Sequence, residues 1–488
     1  MLGNENSLLA TTLVYLSHTF QSNTSDLFLH FKITLNDFIS KDDTAKLRPL
    51  IIKYLPKGIN ANCYVYRLAF NTQRTFPSSQ TQWLLKEGIR AKGACSHHLW
   101  TLLGISFKLD AQIDKAIQSF DKALKLNSNS KTAIVHLSDA LYLQGHVKQA
   151  NELINKVIDT SIFTTIRLIN LLSNHSYQDA WAYYNRHQED VDLSPLRKIL
   201  PNKKLNPKSK QILIFRDQGL GDEIMFLSCL DDFIKTLPIE TKVTLASSKR
   251  LHPLLDIDPK RITLVNGNTD SEFFKKDLKA QFDSYIRASK LPSYTRLNST
   301  SFKPTPYLKV DKELLTDFKN RLASLNTKYK IGIAWKGGVT QLKKLSHSIG
   351  FRDLLPLFNL PNTTFINLQY GDCREEINWL KHEHSLDLIS FDDVNPLEEL
   401  TRQAALIQAL DLIVQVSNTS IHLAGALGKK CFCILPPNHD FRWFSNADLN
   451  PAKSSWYCDV ELHIKSEQET WLESIHNLTN KIKTQLTL

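Results

Sequence analysis

The sequence predicts an all-α helical solenoid followed by an α/β region built as two Rossmann-like halves. Three observations carry this. Trp100, Leu103, Gly104, Phe107, Ala116, Phe120 and Ala123 fall on tetratricopeptide-repeat spacing, and a step of about 34 residues lands on Ile134, Leu137, Ser138, Leu141, Ala150, Ile154 and Val157. Beyond residue 210 the pattern changes to short apolar runs alternating with helical periodicity, which specifies a parallel sheet covered by helices. The alternation restarts at Ile331, so two blocks of similar size are expected with a cleft between them.

In chain order, residues 1–95 read as irregular helix, with amphipathic stretches at Leu27–Ile39 and Leu47–Tyr54. Residues 96–200 hold the repeats. Small Ala and Gly let paired helices approach, while Trp, Leu and Phe fill the space between hairpins; Ala180 and Tyr184 suggest a shortened third unit. Arg197–Lys210 is basic, contains two prolines and lacks apolar periodicity, which puts a linker at 201–210. The first α/β half spans 211–310, with strands at Ile212–Phe215, Val243–Leu245, Ile262–Val265 and near Tyr285. The second spans 326–466, with strands at Ile331, Phe365–Leu368, Leu388–Ser390, Leu412–Val416 and Cys431–Leu435, and a C-terminal helix occupies 467–488.

The chain has 488 residues, 42% hydrophobic and 22% charged, which suits an ordinary globular protein of several domains. No apolar run reaches membrane-spanning length. Leu8–Leu16 lacks the basic flank and cleavage pattern of a leader and reads as a helix of the mature protein, so a cytoplasmic location is expected. Of seven cysteines only Cys431 and Cys433 are close, and they alternate along a predicted strand; reduced core thiols are expected rather than a disulfide or a metal site. A net charge of +11 suits phosphate-rich partners, including nucleotide sugars and the surface of an anionic membrane. No nucleic-acid module is recognisable, and nucleic acid is not expected as a partner.

The densest chemistry lies at Asp411–Pro436. Ser417, Asn418, Thr419 and Ser420 stand where a helix starts after a buried strand, and His422 sits in its first turn. Such a helix start leaves backbone N–H groups and the positive dipole end free for an anion, typically a phosphate. Simple helix capping accounts for the same residues, and both readings stand. Gln218-Gly219-Leu220-Gly221-Asp222 occupies the ligand loop of the first half; Gly219 and Gly221 allow close backbone approach and positive φ, and Asp222 is placed to cap the helix. Lys336, before two glycines, is placed to approach a phosphate, although an exposed loop lysine is the ordinary alternative. Asp256-Ile257-Asp258 has metal-binding DxD spacing but precedes Pro259 and reads as a solvated turn. Arg442-Trp443-Phe444 offers either stacking for a base or sugar or plain rim packing.

QGLGDEIMF, GIAWKGG, the SHSI segment at Ser346–Ile349, NLQ at Asn367–Gln369, HLAGALG at His422–Gly428 and DFRW at Asp440–Trp443 occur in an order that resembles bacterial tetratricopeptide-repeat proteins with a glycosyltransferase family 9 domain, itself similar to the lipopolysaccharide heptosyltransferases. The resemblance covers about Gln211–Trp456 and implies a GT-B fold with acceptor on the first half and nucleotide-sugar donor on the second. It implies metal-independent, inverting transfer to a glycan, lipid-linked or protein acceptor, with no cofactor and with the repeats recruiting acceptor or a partner protein. By position it makes Asp222 the general base, Lys336, Gln369, Ser417, Asn418, Thr419, Ser420 and His422 donor-binding residues, and Gly219 and Gly221 part of the acceptor loop.

The chain departs from the family at three places: Ser417-Asn418 replaces an Asp-Thr pair, His347 an Arg, and Phe441 a Trp; the first two bear on donor contacts, so donor identity is not carried across. Two other functions remain open. One is a non-catalytic scaffold in which the repeats carry the function; the other is a sugar-nucleotide epimerase, for which the solenoid would have no purpose.

Overall fold

The computed structural model describes residues 78–90, 93–157, 164–188, 205–206, 209–276, 278–338, 348–446 and 450–486. The amphipathic stretches expected before residue 78, the Leu8–Leu16 segment and His347 lie outside them. The chain divides into two compact units, Met1–Ile162 and Phe163–Leu488.

The described part of the first unit is helical: α1 (Ser78–Arg90), α2 (Ser96–Leu109), α3 (Ile113–Leu126), α4 (Lys131–Leu143) and α5 (Val147–Ile154). Helices α2 and α3 pack as one pair and α4 and α5 as another. Gly104 is where the first pair closes, since a Cβ there would lie 2.4 Å from the Phe120 ring. In the second pair Ser138 takes that position and donates its hydroxyl to the Ala150 carbonyl at 2.8 Å. The 34-residue repeat is thus seated on two helix pairs, with Leu103, Phe107, Ala116, Phe120 and Ala123 buried in the first and Leu137, Ala150, Ile154 and Val157 in the second. Cys95 is disulfide-bonded, contrary to the expectation of reduced thiols throughout; that expectation rested on the Cys431/Cys433 pair and had no signal for Cys95.

The second unit opens with α6 (Thr165–Ser173) and α7 (Tyr177–Gln188). Sequence spacing placed Ala180 and Tyr184 with the repeats and the boundary at 201–210. The structure instead gives both helices to the α/β unit, because α7 carries an aromatic face that packs there. Tyr177 meets Phe302 (5.2 Å between centroids), Trp181 meets Trp456 (6.0 Å) and Tyr184 meets Phe441 (5.2 Å). The Trp181 indole N–H also donates to the Arg296 carbonyl at 2.8 Å.

A four-stranded parallel sheet follows, formed by β1 (Gln211–Phe215), β2 (Lys242–Ser247), β3 (Ile262–Asn266) and β4 (Ser284–Arg287) in the order β3-β2-β1-β4. Helix α8 (Leu220–Leu227) leaves the carboxyl end of β1. Between β2 and β3 the chain makes a single 3-10 turn, His252–Leu254. Helix α9 (Lys312–Ala323), capped by the Asp311 carboxylate, leads to the second sheet.

That sheet contains β5 (Tyr329–Ala334), β6 (Thr363–Asn367), β7 (Leu388–Ile389), β8 (Leu412–Val416), β9 (Cys431–Leu435), β10 (Ser445–Asn446), β11 (Asn450–Ser454) and β12 (Val460–Ile464). Its order is β10-β11-β12-β9-β8-β5-β6-β7, parallel from β7 to β12 and closed by two antiparallel strands. The six parallel strands follow the doubly wound order, so a switch point lies between β5 and β8. The covering helices are α10 (Arg374–His384), α11 (Thr401–Ala409), α12 (Thr419–Ala426) and α13 (Trp471–Leu486). Both faces of β8 and β9 are buried, as expected for central parallel strands. Cys431 and Cys433 face one core and Phe432 and Ile434 the other, and both thiols are free. Strands β10 to β12 were not foreseen: β10 and β11 show no apolar alternation, whereas the Val-Glu-Leu-His-Ile alternation of β12 was a signal that was passed over.

Candidate active site

A cavity of about 350 Å³ lies between the two halves of the second unit. It is lined by Gly219, Leu220, Gly221 and Asp222 from the first half and by Ser417, Asn418, Thr419, Ser420 and His422 from the second. These are the N-termini of α8 and α12, which converge on one space. The first N–H groups of each helix have no intrahelical acceptor, and the positive dipole ends point the same way.

The convergence needs a glycine. A Cβ on Gly221 would sit 3.0 Å from His422 Cδ2 and 3.6 Å from Thr419 Cα, so the bare backbone lets the two helix starts meet. Positive φ, expected for both loop glycines, is not used: Gly219 has φ −64° and caps α8 with extended backbone, and Gly221 lies inside the helix. Asp222 therefore does not cap. It is the third residue of α8, and its side chain is free to point at the opposite half.

There it meets Arg442. The Asp222 carboxylate accepts a hydrogen bond from Arg442 Nε, and Asp440 accepts from Arg442 Nη1 at 2.7 Å. Asp440 also caps the short turn that carries Arg442, accepting from its backbone N–H at 2.9 Å. Burial works against the guanidinium charge, but Asp222 and Asp440 outweigh it and hold Arg442 protonated. Arg442 Nη2 has no hydrogen-bond acceptor among the described residues, and Arg442 lines the cavity.

The α12 start is braced from within. Asn418 caps it, its side-chain oxygen accepting from Ile421 N–H at 3.1 Å. Ser420 Oγ lies 2.5 Å from Gln415 Oε1 and 2.8 Å from Asn418 Oδ1, although one hydroxyl proton cannot serve both. Gln415 Nε2 is buried without a partner, so rotating that amide gives a complete chain from Gln415 through Ser420 to Asn418. His422 stacks on Trp443 (4.6 Å, 23°), and its Nδ1 bonds Tyr457 Oη at 2.9 Å. Trp443 donates its indole N–H to Ser417 Oγ at 2.7 Å and is fully buried, which removes it as a stacking platform for a ligand.

Two expected donor residues lie elsewhere. Lys336 pairs with Glu376 and is not among the lining residues. Gln369 is buried and structural, its Oε1 accepting from the backbone N–H groups of Trp335 (3.0 Å) and Lys336 (2.8 Å), which staples the ends of β5 and β6 together. Both were placed by motif position, which does not show where a side chain points. Asp256 and Asp258 are exposed and engage Lys309 and the Lys260 N–H, as a solvated turn would. Among the described residues no group of three or more His, Cys, Asp or Glu side chains is arranged to hold a metal ion.

Sequence reasoning missed Arg250, which lines the cavity from the end of β2 and donates to the Pro396 and Leu397 carbonyls (2.9 and 3.0 Å), bridging the halves. It also gave Arg442 no electrostatic role and passed over Asp217. Burial pushes the Asp217 carboxyl up to about 6 despite hydrogen bonds from Ser289 N–H (3.2 Å) and Oγ (2.5 Å). The Tyr184 hydroxyl accepts from Gln218 Nε2, so α7 holds the loop that carries Gly219–Asp222.

No protein-family model matches this chain. Protein FlbA of Caulobacter vibrioides is 25% identical over 392 residues, which are 76% of this chain and 65% of FlbA, so the match spans just under two thirds of that protein. Among solved structures, a glycosyl transferase family 9 protein from Veillonella parvula is similar with TM-score 0.38 and 10% identity, covering 57% of this chain and 89% of that one. The ADP-heptose lipopolysaccharide heptosyltransferase II of E. coli is similar with TM-score 0.38 and 13% identity, covering 57% and 100%. The O-GlcNAc transferase of Thermobaculum terrenum is similar with TM-score 0.28 and 11% identity, covering 87% and 91%. Likenesses this distant assign neither activity nor substrate to this chain.

Proposed function

We propose that the chain is a glycosyltransferase that moves a sugar from a nucleotide-sugar donor to a hydroxyl of a glycan, lipid-linked or protein acceptor. The observation that carries this is the convergence of two helix N-termini, Arg442 and Arg250 on one cavity that also holds a carboxylate, Asp222. Helix ends and guanidinium groups are suited to a diphosphate. A carboxylate beside them is suited to take a proton from an attacking hydroxyl.

In the reaction the acceptor oxygen bonds to the anomeric carbon as that carbon's bond to the donor phosphate breaks. The electron pair leaves on the diphosphate, and the hydroxyl proton goes to Asp222. Asp222 is the single carboxylate among the described lining residues, so no second one stands ready as a nucleophile, and direct displacement inverts the anomeric centre. Diphosphate charge is met by the helix ends and Arg442, so the step asks for no divalent ion. The helical unit binds acceptor or a partner protein.

The testing experiment is a panel of nucleotide sugars screened for thermal stabilisation, followed by transfer assays with the hits. A true donor at a hundred times its dissociation constant adds about 2.7 kcal/mol. No stabilisation by any member refutes the donor site. A second reading, a binding scaffold without turnover, is favoured by the engagement of Asp222 with Arg442. It predicts ligand binding with no transfer.

A further inference from the structure

We infer that the Asp222–Arg442 pair is a resting contact that the donor's diphosphate breaks, so that binding of the donor is what frees the base. This rests on the donor-site reading above and adds a coupling between binding and catalysis.

Three features of the pair lead there. Asp222 and Arg442 come from opposite halves and both line the cavity, so the contact crosses the space a ligand would fill. Arg442 does not depend on Asp222 for its place: Asp440 holds Nη1 at 2.7 Å, accepts from the Arg442 backbone N–H at 2.9 Å, and remains when the Asp222 contact is lost. Nη2 has no acceptor among the described residues, so a phosphate oxygen can bind there first and then displace the carboxylate from Nε. The guanidinium keeps an anionic partner throughout, trading the Asp222 carboxylate for a phosphate oxygen, while Asp222 gives up its own partner.

The consequence falls on Asp222. While paired, Asp222 Oδ1 accepts from Arg442 Nε and is not open to an acceptor hydroxyl. Once the diphosphate holds Arg442, the carboxylate sits at the start of α8 with an unblocked oxygen facing the cavity. The base is then available only when a donor is present, and productive binding is ordered, donor before acceptor.

The competition can be read directly with inorganic pyrophosphate as the probe. Titrate it calorimetrically into the full-length wild-type chain and into Asp222→Asn, Arg442→Lys and Arg442→Gln, with circular dichroism confirming that each is folded. Exchange predicts that Asp222→Asn, which removes the competing charge at constant shape, binds pyrophosphate about fivefold or more tightly, while Arg442→Gln binds about tenfold or more weakly. Arg442→Lys, which keeps charge without the fork, falls between wild type and Arg442→Gln. Wild-type binding with Asp222→Asn equal or weaker overturns the exchange and leaves the donor site standing. Absence of pyrophosphate binding in wild type and in Asp222→Asn overturns the donor site and the exchange together.

Discussion

Asp222 and Arg442, 220 residues apart in sequence, are hydrogen-bonded to each other across the two halves of the α/β unit. A helix start after β1 supplies the carboxylate, and a turn after β9, fixed by Asp440, supplies the guanidinium. Most of the expected behaviour of the site depends on this pair.

Asp222→Asn is expected to slow transfer by about a hundredfold or more, because an amide cannot accept the acceptor's proton. Folding should be little affected, since Asp222 caps nothing and Asn can still accept from Arg442. Asp222→Ala should be worse for stability, by about 1–3 kcal/mol, because Arg442 is then left with Asp440 alone in a partly buried site. Steady-state rates with saturating donor and acceptor, together with urea unfolding, separate the two effects. Full activity in the Asn variant would remove Asp222 from the chemistry.

Gly221→Ala tests the helix convergence. The added methyl improves helix propensity by about 1 kcal/mol but must push against His422 at 3.0 Å, so stability should change by less than about 2 kcal/mol. Affinity for pyrophosphate should fall about tenfold as the α8 and α12 starts separate. Unchanged affinity would mean that the two N-termini do not share a ligand.

Tyr184→Phe keeps the ring against Phe441 and Phe226 and removes the hydroxyl bonded to Gln218. About 1 kcal/mol of stability should be lost, with kcat falling several-fold as the Gly219–Asp222 loop loosens. A stability loss with no change in kcat would confine Tyr184 to packing.

The helical unit should be acid-sensitive. Burial, aided by Lys108 and opposed by Asp139, pushes His136 down to about 4, and its ring stacks on Phe120. The native state therefore binds fewer protons than the unfolded chain between about pH 6.5 and pH 4. Stability is fully present above pH 6.5 and is lost as pH falls through that window, by up to about 3 kcal/mol. His136→Gln should flatten this slope, measured by thermal unfolding across the pH range.

Periodicity made the two sheets and their central strands legible, because buried parallel strands such as Leu412–Val416 are written as continuous apolar runs. The start of α12 was legible for the same local reason: Asn418 caps it, as its residue type suggests. What failed was anything set by distant packing. The α7 helix carries repeat-like Ala180 and Tyr184, yet its partners, Phe302, Phe441 and Trp456, lie more than a hundred residues away. Lys336 and Gln369 sit in the right motifs and point elsewhere, and Arg250 belongs to no motif at all. The pairing of Asp222 with Arg442 has no sequence signal, because it exists only once both halves are folded.

Transfer is expected to proceed unchanged in excess EDTA. Loss of activity restored by magnesium or manganese would contradict the assignment of diphosphate charge to helix ends and Arg442.

The most direct measurement is a crystal structure of the chain with the nucleoside diphosphate that stabilises it best in the thermal screen. A donor site of the kind proposed places the two phosphates between the starts of α8 and α12, with a phosphate oxygen on Arg442 and the nucleoside extending along the second half. A nucleotide bound anywhere other than these helix N-termini would contradict it.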